Sequence, residues 1–192
     1  MDDSQFRIGD QDDVDAAART LARAFANYPW TRWTVAADQH IRRIQEVQAI
    51  YLRGVAVPHG LLVVDQKCSA VIAFTEPGAD LRVDPQVWEK ATAAGGESVA
   101  TSTPVELPSA RVPGSWRLAT IGVEPRSQGK GRGSGLLEFG LQQVNRRVGH
   151  RAPVHLETSD ERSLRLYQRH GFEAYALTQI PDGPRVWSMQ RS

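Results

Sequence analysis

The spacing of apolar positions changes period several times along this chain. Phe6-Arg7-Ile8 reads as a short first strand. Asp12 or Asp13 can cap the helix that follows, in which Val14, Ala18, Leu21, Ala22 and Phe25 recur at helical spacing up to about Asn27. Tyr28-Pro29 breaks that pattern, because a residue before proline avoids the helical region. A second helix is expected from about Asp38, with Ile41, Ile44, Val47, Tyr51 and Val55 on its apolar face. Leu61–Val64 and Ala70–Phe74 then read as a hairpin turning at Asp65-Gln66-Lys67. Asp84-Pro85 marks another helix start, with Val87, Trp88 and Ala91 facing inward.

Residues 95–114 are rich in Gly, Ser, Thr and Pro and predict a long loop, functional or disordered, and not a domain linker. Beyond it, Trp116–Val123 is the central strand, and a helix from about Gly131 to Val148 carries Leu136, Leu137, Leu141 and Val144. Gly149 can end that helix. Val154–Thr158 is the next strand, and the unit from 116 to 158 should be parallel and right-handed. Asp160 can cap a helix carrying Leu164, Leu166 and Tyr167 up to Gly171. Phe172–Leu177 and Arg185–Met189 close the chain as a hairpin. The pattern predicts an α/β (α+β) protein in a single domain, 1–192, with a mixed sheet.

The junction after the central strand carries the chemistry. Pro125 breaks the strand, glycines alternate at 129, 131, 133 and 135, and a helix begins. Glycine lets a backbone adopt positive φ and approach a ligand closely. A helix N-terminus offers unpaired N–H groups and a favourable dipole to an anion. Lys130 and Arg132 add positive charge, so the junction predicts a pyrophosphate cradle. It lacks the G-x-x-x-x-G-K-[ST] string of P-loop nucleotidases and the G-x-G-x-x-G setting of dinucleotide folds.

Composition narrows the rest. The chain has 192 residues, 41% hydrophobic and 23% charged, enough for a sizeable core. A net charge of +1 gives no electrostatic case for nucleic acid or a membrane surface. Cys68 alone cannot form an intrachain disulfide, so a reducing, cytoplasmic setting is expected. Its place at a hairpin makes it a poor nucleophile. The acidic start MDDSQF does not read as a signal peptide, and apolar runs are far too short to span a membrane. Asp12-Asp13 and Asp160-Glu161 read as helix-start charges, so no metal site is expected.

Gln128, Gly131 and Gly133 in their strand–loop–helix setting match the Q/R-x-x-G-x-G/A acyl-coenzyme A loop of the GNAT superfamily of N-acetyltransferases, and the chain resembles that family. The resemblance implies a mostly antiparallel sheet flanked by helices, with acetyl-CoA held by Ile121, Gly122, Val123, Gln128, Gly129, Lys130, Gly131, Arg132, Gly133 and Ser134. It also implies a helix ending in a Tyr before Gly-Phe, which Tyr167, Gly171 and Phe172 match. In the family that hydroxyl faces the coenzyme A sulfur, so Tyr167 is the expected general acid. Ser163 stands where many relatives carry an Asn that touches the cofactor; its shorter side chain weakens that contact. Further stretches extend the resemblance to one member over most of the chain, with 81–114 matching poorly.

The base is less marked. Relatives use a Glu on the central strand or an activated water, and strand 116–123 has no acid. Glu157 on the neighbouring strand is the candidate, with a structural carboxylate as the alternative, and Tyr28 stands second. His155 shares the Glu157 strand face and reads as a packing or surface residue. Tyr28, Trp30 and Trp33 lie between helices and are expected to border the acceptor, a small-molecule amine. Phe25 and Trp187 read as packing residues. A peptide α-amine acceptor, or a non-catalytic acyl-CoA module, are the competing functions. A monomer or homodimer is expected.

Overall fold

A computed structural model describes residues 5–98 and 105–192; the sequence readings at 1–4 and 99–104 lie outside the described residues. One seven-stranded sheet in the order β1-β2-β3-β4-β5-β7-β6 runs through the molecule. Its strands are β1 (Phe6–Ile8), β2 (Gly60–Asp65), β3 (Ala70–Thr75), β4 (Trp116–Val123), β5 (Val154–Thr158), β6 (Glu173–Gln179) and β7 (Arg185–Arg191). Every neighbouring pair is antiparallel except β4–β5, as the sequence predicts for a strand–helix–strand unit.

β2 and β3 are buried along their whole length because helices cover both faces. On one face α5 (Arg132–Val148) sets Leu136, Leu137, Leu141 and Val144 against Val63, Ile72, Phe74 and Leu118. On the other, α1 (Val14–Phe25) packs Val14, Ala17 and Leu21 against Leu62, Val64, Val71 and Ala73. α3 (His40–Tyr51) continues that second layer and ends in a π-helical turn, Leu52–Ala56. α1 crosses β4 so closely that a Cβ at Gly122 would lie 2.8 Å from Leu21 Cδ2 and 3.0 Å from Ala24 Cβ.

The ends of the elements refine the sequence reading. The first cap is Asp10, in a reciprocal box with Asp13 that opens a single 3₁₀ turn before α1. The aromatic segment after α1 is itself a short helix, α2 (Pro29–Thr34), with Pro29 at its first turn. α4 (Pro85–Gly95) is capped by Asp84 as expected, and Val87, Trp88 and Ala91 are half-buried while Ala94 is buried. α6 (Glu161–Arg169) is capped by Asp160.

Candidate active site

β4 and β5 pair only at Trp116–Val154 and Arg117–His155. Beyond that point the strands part. The β3–β4 register runs from Ala73–Thr120 to Phe74–Leu118, so Ala119 is bulged. A bulge bends its strand and raises the local twist. The gap so opened is a cavity of about 220 Å³ between Leu118–Ile121 of β4 and Glu157 and Thr158 of β5, with Ser159 just beyond the strand. Phe25, Tyr28, Trp30, Leu107 and Val186 form its apolar wall, and Tyr167 and Ser163 of α6 reach it from the side.

Tyr167 is buried, and its ring meets Phe172 edge-on at 5.8 Å between centroids. That contact fixes the ring, and Gly171 makes it possible: its φ of +80° turns the chain back after α6. Among the described residues its hydroxyl makes no hydrogen bond to protein, so it faces the cavity as a free donor. Burial, with smaller contributions from Tyr28 and Asp160, pushes its pKa well above the ordinary tyrosine value. The hydroxyl therefore stays protonated across the physiological range.

Glu157 lies on the same strand face as His155, whose cross-strand neighbour is Arg117. The carboxylate accepts from Arg117 through Oε2, at 3.0 Å from Nη2. Among the described residues its Oε1 has no hydrogen-bond partner. Burial holds His155 below its ordinary pKa. Tyr28 is committed to structure: its hydroxyl accepts from Ser159 N–H at 2.9 Å and exchanges a hydrogen bond with Thr158 Oγ1 at 2.9 Å. Trp30 N–H donates to Ser159 Oγ at 3.0 Å, so the start of α2 is pinned to the end of β5. Trp30 lines the cavity, whereas Trp33 sits behind it, 5.6 Å between ring centroids, buried against Ile180 and Val186. Phe25, which the sequence reads as packing, is part of the cavity wall.

The glycine junction lies at the other end of β4. Gly129 and Gly131 have φ of +76° and +75°, and a Cβ at either would project into open space. Gly131 is the N-cap of α5, and the first intrahelical bond is Gly135 N–H to Gly131 O at 3.1 Å. The N–H groups of Arg132, Gly133 and Ser134 thus have no partner within the helix. This concave, donor-rich turn fits a pyrophosphate. Three residues of the motif have other duties as well. Gln128 Nε2 donates to Val123 O at 2.9 Å, closing the strand end. Ser134 Oγ is hydrogen-bonded to His170 Nε2. The Arg132 guanidinium is paired with Asp65, which leaves Arg126 and Lys130 as exposed cations of the loop. Gly122 serves α1 packing, and Ser163 Oγ donates to Asp160 at 2.9 Å while lining the cavity.

Residues 91–174 match the model of the acetyltransferase (GNAT) domain. The fold of the chain is that of solved acetyltransferases: the histone acetyltransferase HPA2 and related acetyltransferase from Corynebacterium glutamicum superposes with a TM-score of 0.72 at 21% identity, covering 97% of this chain and 94% of that one. The putative acetyltransferase yncA from Salmonella typhimurium, solved with its cofactor acetyl-CoA, gives 0.52 at 17% identity over 96% of this chain and 91% of that one. Among curated proteins, the mycothiol acetyltransferase of Mycobacterium avium is 31% identical over 72 residues, 34% of this chain. The match spans only 23% of that protein's length, and the same holds for its Mycolicibacterium paratuberculosis counterpart.

Sequence reasoning missed three cavity residues with polar atoms buried and unpartnered among the described residues: Gln48 Oε1, Arg117 Nε and Thr120 Oγ1. The one available signal was Arg117 itself, a charge in an otherwise apolar central strand. Among the described residues no helix is long and apolar enough to cross a membrane, and no cluster of three His, Cys, Asp or Glu is set to hold a metal.

Proposed function

We propose that the chain is an acetyl-CoA-dependent N-acetyltransferase that acylates the primary amine of a small molecule by direct attack in a ternary complex. One observation carries the reading. A free, protonated tyrosine hydroxyl stands in a cavity opened by the splaying of β4 from β5, and β4 leads directly into the glycine cradle. When bound, acetyl-CoA supplies a thioester-activated acetyl group. The N–H groups at the start of α5, with Lys130, would hold its pyrophosphate, and Ser163 lines the cavity that would receive the acetyl end. The bulged backbone of Leu118–Ile121 orients the thioester carbonyl through N–H groups left without a β5 partner.

Glu157 Oε1 takes the proton released as the amine nitrogen bonds to the acetyl carbon. Tyr167 holds the proton that would go to the coenzyme A thiolate as it leaves. No acyl-enzyme is invoked, because Cys68 is remote, buried and held protonated by burial, its pKa pushed up to about 11. Tyr28, Trp30 and Phe25 face the acceptor, and Trp33 buttresses Trp30.

The acceptor is of the puromycin type. The supporting resemblance is to puromycin N-acetyltransferase and rests on RTLARAFANYP at 19–29, LATIGV at 118–123, LETS at 156–159 and PDGPRVWSM at 181–189. The test is release of coenzyme A across puromycin, aminoacyl nucleosides, aminoglycosides and peptides. Turnover on the first two is expected. Cofactor binding without turnover on any amine would instead mark an acyl-CoA-binding module.

A further inference from the structure

Three polar side chains in a row beside the glycine cradle have no task in the reaction above. Ser134 is the third residue of α5, and its N–H is one of those left free at the helix start. Its Oγ lies 2.5 Å from Nε2 of His170, the residue that ends α6. On the far side of the ring, Nδ1 is 3.7 Å from Glu138 Oε1. Glu138 follows Ser134 by four positions, so one face of α5 presents both to the same imidazole. A neutral imidazole has one donor and one acceptor nitrogen, and its partners decide which is which. The Glu138 carboxylate favours the proton on Nδ1. Nε2 is then the acceptor, and Ser134 must donate its one hydroxyl proton to it. In that state Ser134 offers the cradle only lone pairs, which repel an anion. A protonated ring reverses the bond: Nε2–H donates to Oγ, and the serine proton is released to the cradle. An imidazolium beside the positive end of α5 is unfavourable until an anion is bound there. Three charges face the ring: Glu138 from α5, Arg169 from the end of α6 and Arg191 from β7. Burial, opposed by Glu138 and aided by the two arginines, holds His170 below its ordinary pKa, so the ring is neutral near pH 7 in the free protein. A pyrophosphate in the cradle brings negative charge to the other side of Ser134 and favours the imidazolium.

We infer that His170 is a positioning residue for the cofactor: it sets the direction of the Ser134 hydroxyl and takes up a proton as the pyrophosphate enters the cradle. This rests on the reading of the turn before α5 as the pyrophosphate site and deepens it. A group whose pKa rises on binding strengthens binding fully below its free value, and that gain is lost as pH rises through the bound value. Affinity for the pyrophosphate is therefore greatest on the acid side of neutral and falls as His170 loses its proton.

The probe is dephospho-coenzyme A, which keeps the pyrophosphate but lacks the phosphate monoester, a group that itself titrates near neutral pH. Calorimetry from about pH 5.5 to about pH 8 spans the ordinary histidine value. The wild-type Kd should rise at least about tenfold over that range, the worth of one hydrogen bond to a charged partner. Near the middle of the range, runs in buffers of different ionisation heat should show net proton uptake on binding. His170→Gln has a side-chain amide that donates to Ser134 at every pH and does not titrate. It should bind with a flat profile and no proton uptake. Ser134→Ala keeps the imidazole and removes the hydroxyl, and most of the pH dependence should go with it. Glu138→Gln removes the charge that favours the imidazolium, so the fall in affinity should move to lower pH. A flat wild-type profile without proton uptake overturns the inference and leaves the cradle in place. So does a folded His170→Gln protein that keeps the wild-type slope. If that variant does not fold, Ser134→Ala decides: the full wild-type slope there means that His170 acts by charge alone, and the positioning role falls. Absence of wild-type binding at every pH would overturn the cradle reading itself, and this inference with it.

Discussion

At the scale of single residues, the acid is the sharpest expectation. Tyr167→Phe removes one oxygen and keeps the ring against Phe172. Positioned general acids contribute about 10²–10⁴-fold, so kcat should fall by about 10²-fold or more while the melting temperature and coenzyme A affinity stay near wild type. Near wild-type kcat, measured where chemistry limits the rate, would assign the proton to solvent. Because burial raises the tyrosine pKa, the acid is present below that value and lost only above it. The rate should therefore show no descending limb from Tyr167 up to about pH 10, the ordinary tyrosine value. This residue was legible in the sequence because a Tyr before Gly-Phe at a helix end has a spacing of its own. Arg117 was not. Its meaning depends on the register that sets it beside His155 and within reach of Glu157, and register across a crossover connection leaves no mark in either strand alone. Trp33 shows the same limit in reverse. Three aromatics in six residues signal a wall, but only the turn of α2 decides that Trp30 faces the cavity and Trp33 stands behind it.

At the scale of elements, the glycines of the β4–α5 junction divide into two kinds, and substitutions should separate them. Gly131 faces open space in a left-handed conformation. Gly131→Glu should put a carboxylate into the proposed pyrophosphate site and abolish acetyl-CoA binding in calorimetry, with the fold retained by circular dichroism. Unchanged affinity in that variant would move the cofactor elsewhere. Gly122 faces protein. Gly122→Ala forces a Cβ against Leu21 and Ala24, and overpacking of this kind costs about 1–3 kcal/mol. Its melting temperature should drop by roughly 2–4 °C per kcal/mol for a chain of this size. The sequence marks all these glycines alike, because it records the missing side chain and not what fills its place.

For the whole molecule, strand and helix positions were largely readable because the periods are clean, from the three-residue β1 to the closing hairpin. What the pattern omits is the wedge between β4 and β5, since a bulge at Ala119 looks like any other strand residue. The first edge of the sheet carries a measurable pH dependence. Arg7 at 2.7 Å holds Asp13 down to about 2, helped by the Asp10 backbone, against an unfolded value near 3.9. A depressed carboxylate stabilises fully above its unfolded pKa and loses that stabilisation as pH falls through the folded one. Wild-type protein should lose stability between about pH 4 and pH 2 more steeply than Asp13→Asn, as followed by melting temperature. Parallel acid profiles would remove Asp13 from that role.

The lone cysteine has a practical bearing on all of these measurements. Cys68 is only 5% exposed, its Sγ–H donates to Asp13, and burial with that neighbouring charge keeps it a thiol at pH 8. Thiolates, not thiols, attack chromogenic disulfide reagents. A colorimetric readout of freed coenzyme A in this protein should consequently start from a blank enzyme. Any thiol titre that grows during incubation without substrate would report the β2–β3 hairpin opening, and so would serve as a built-in gauge of unfolding in every assay well.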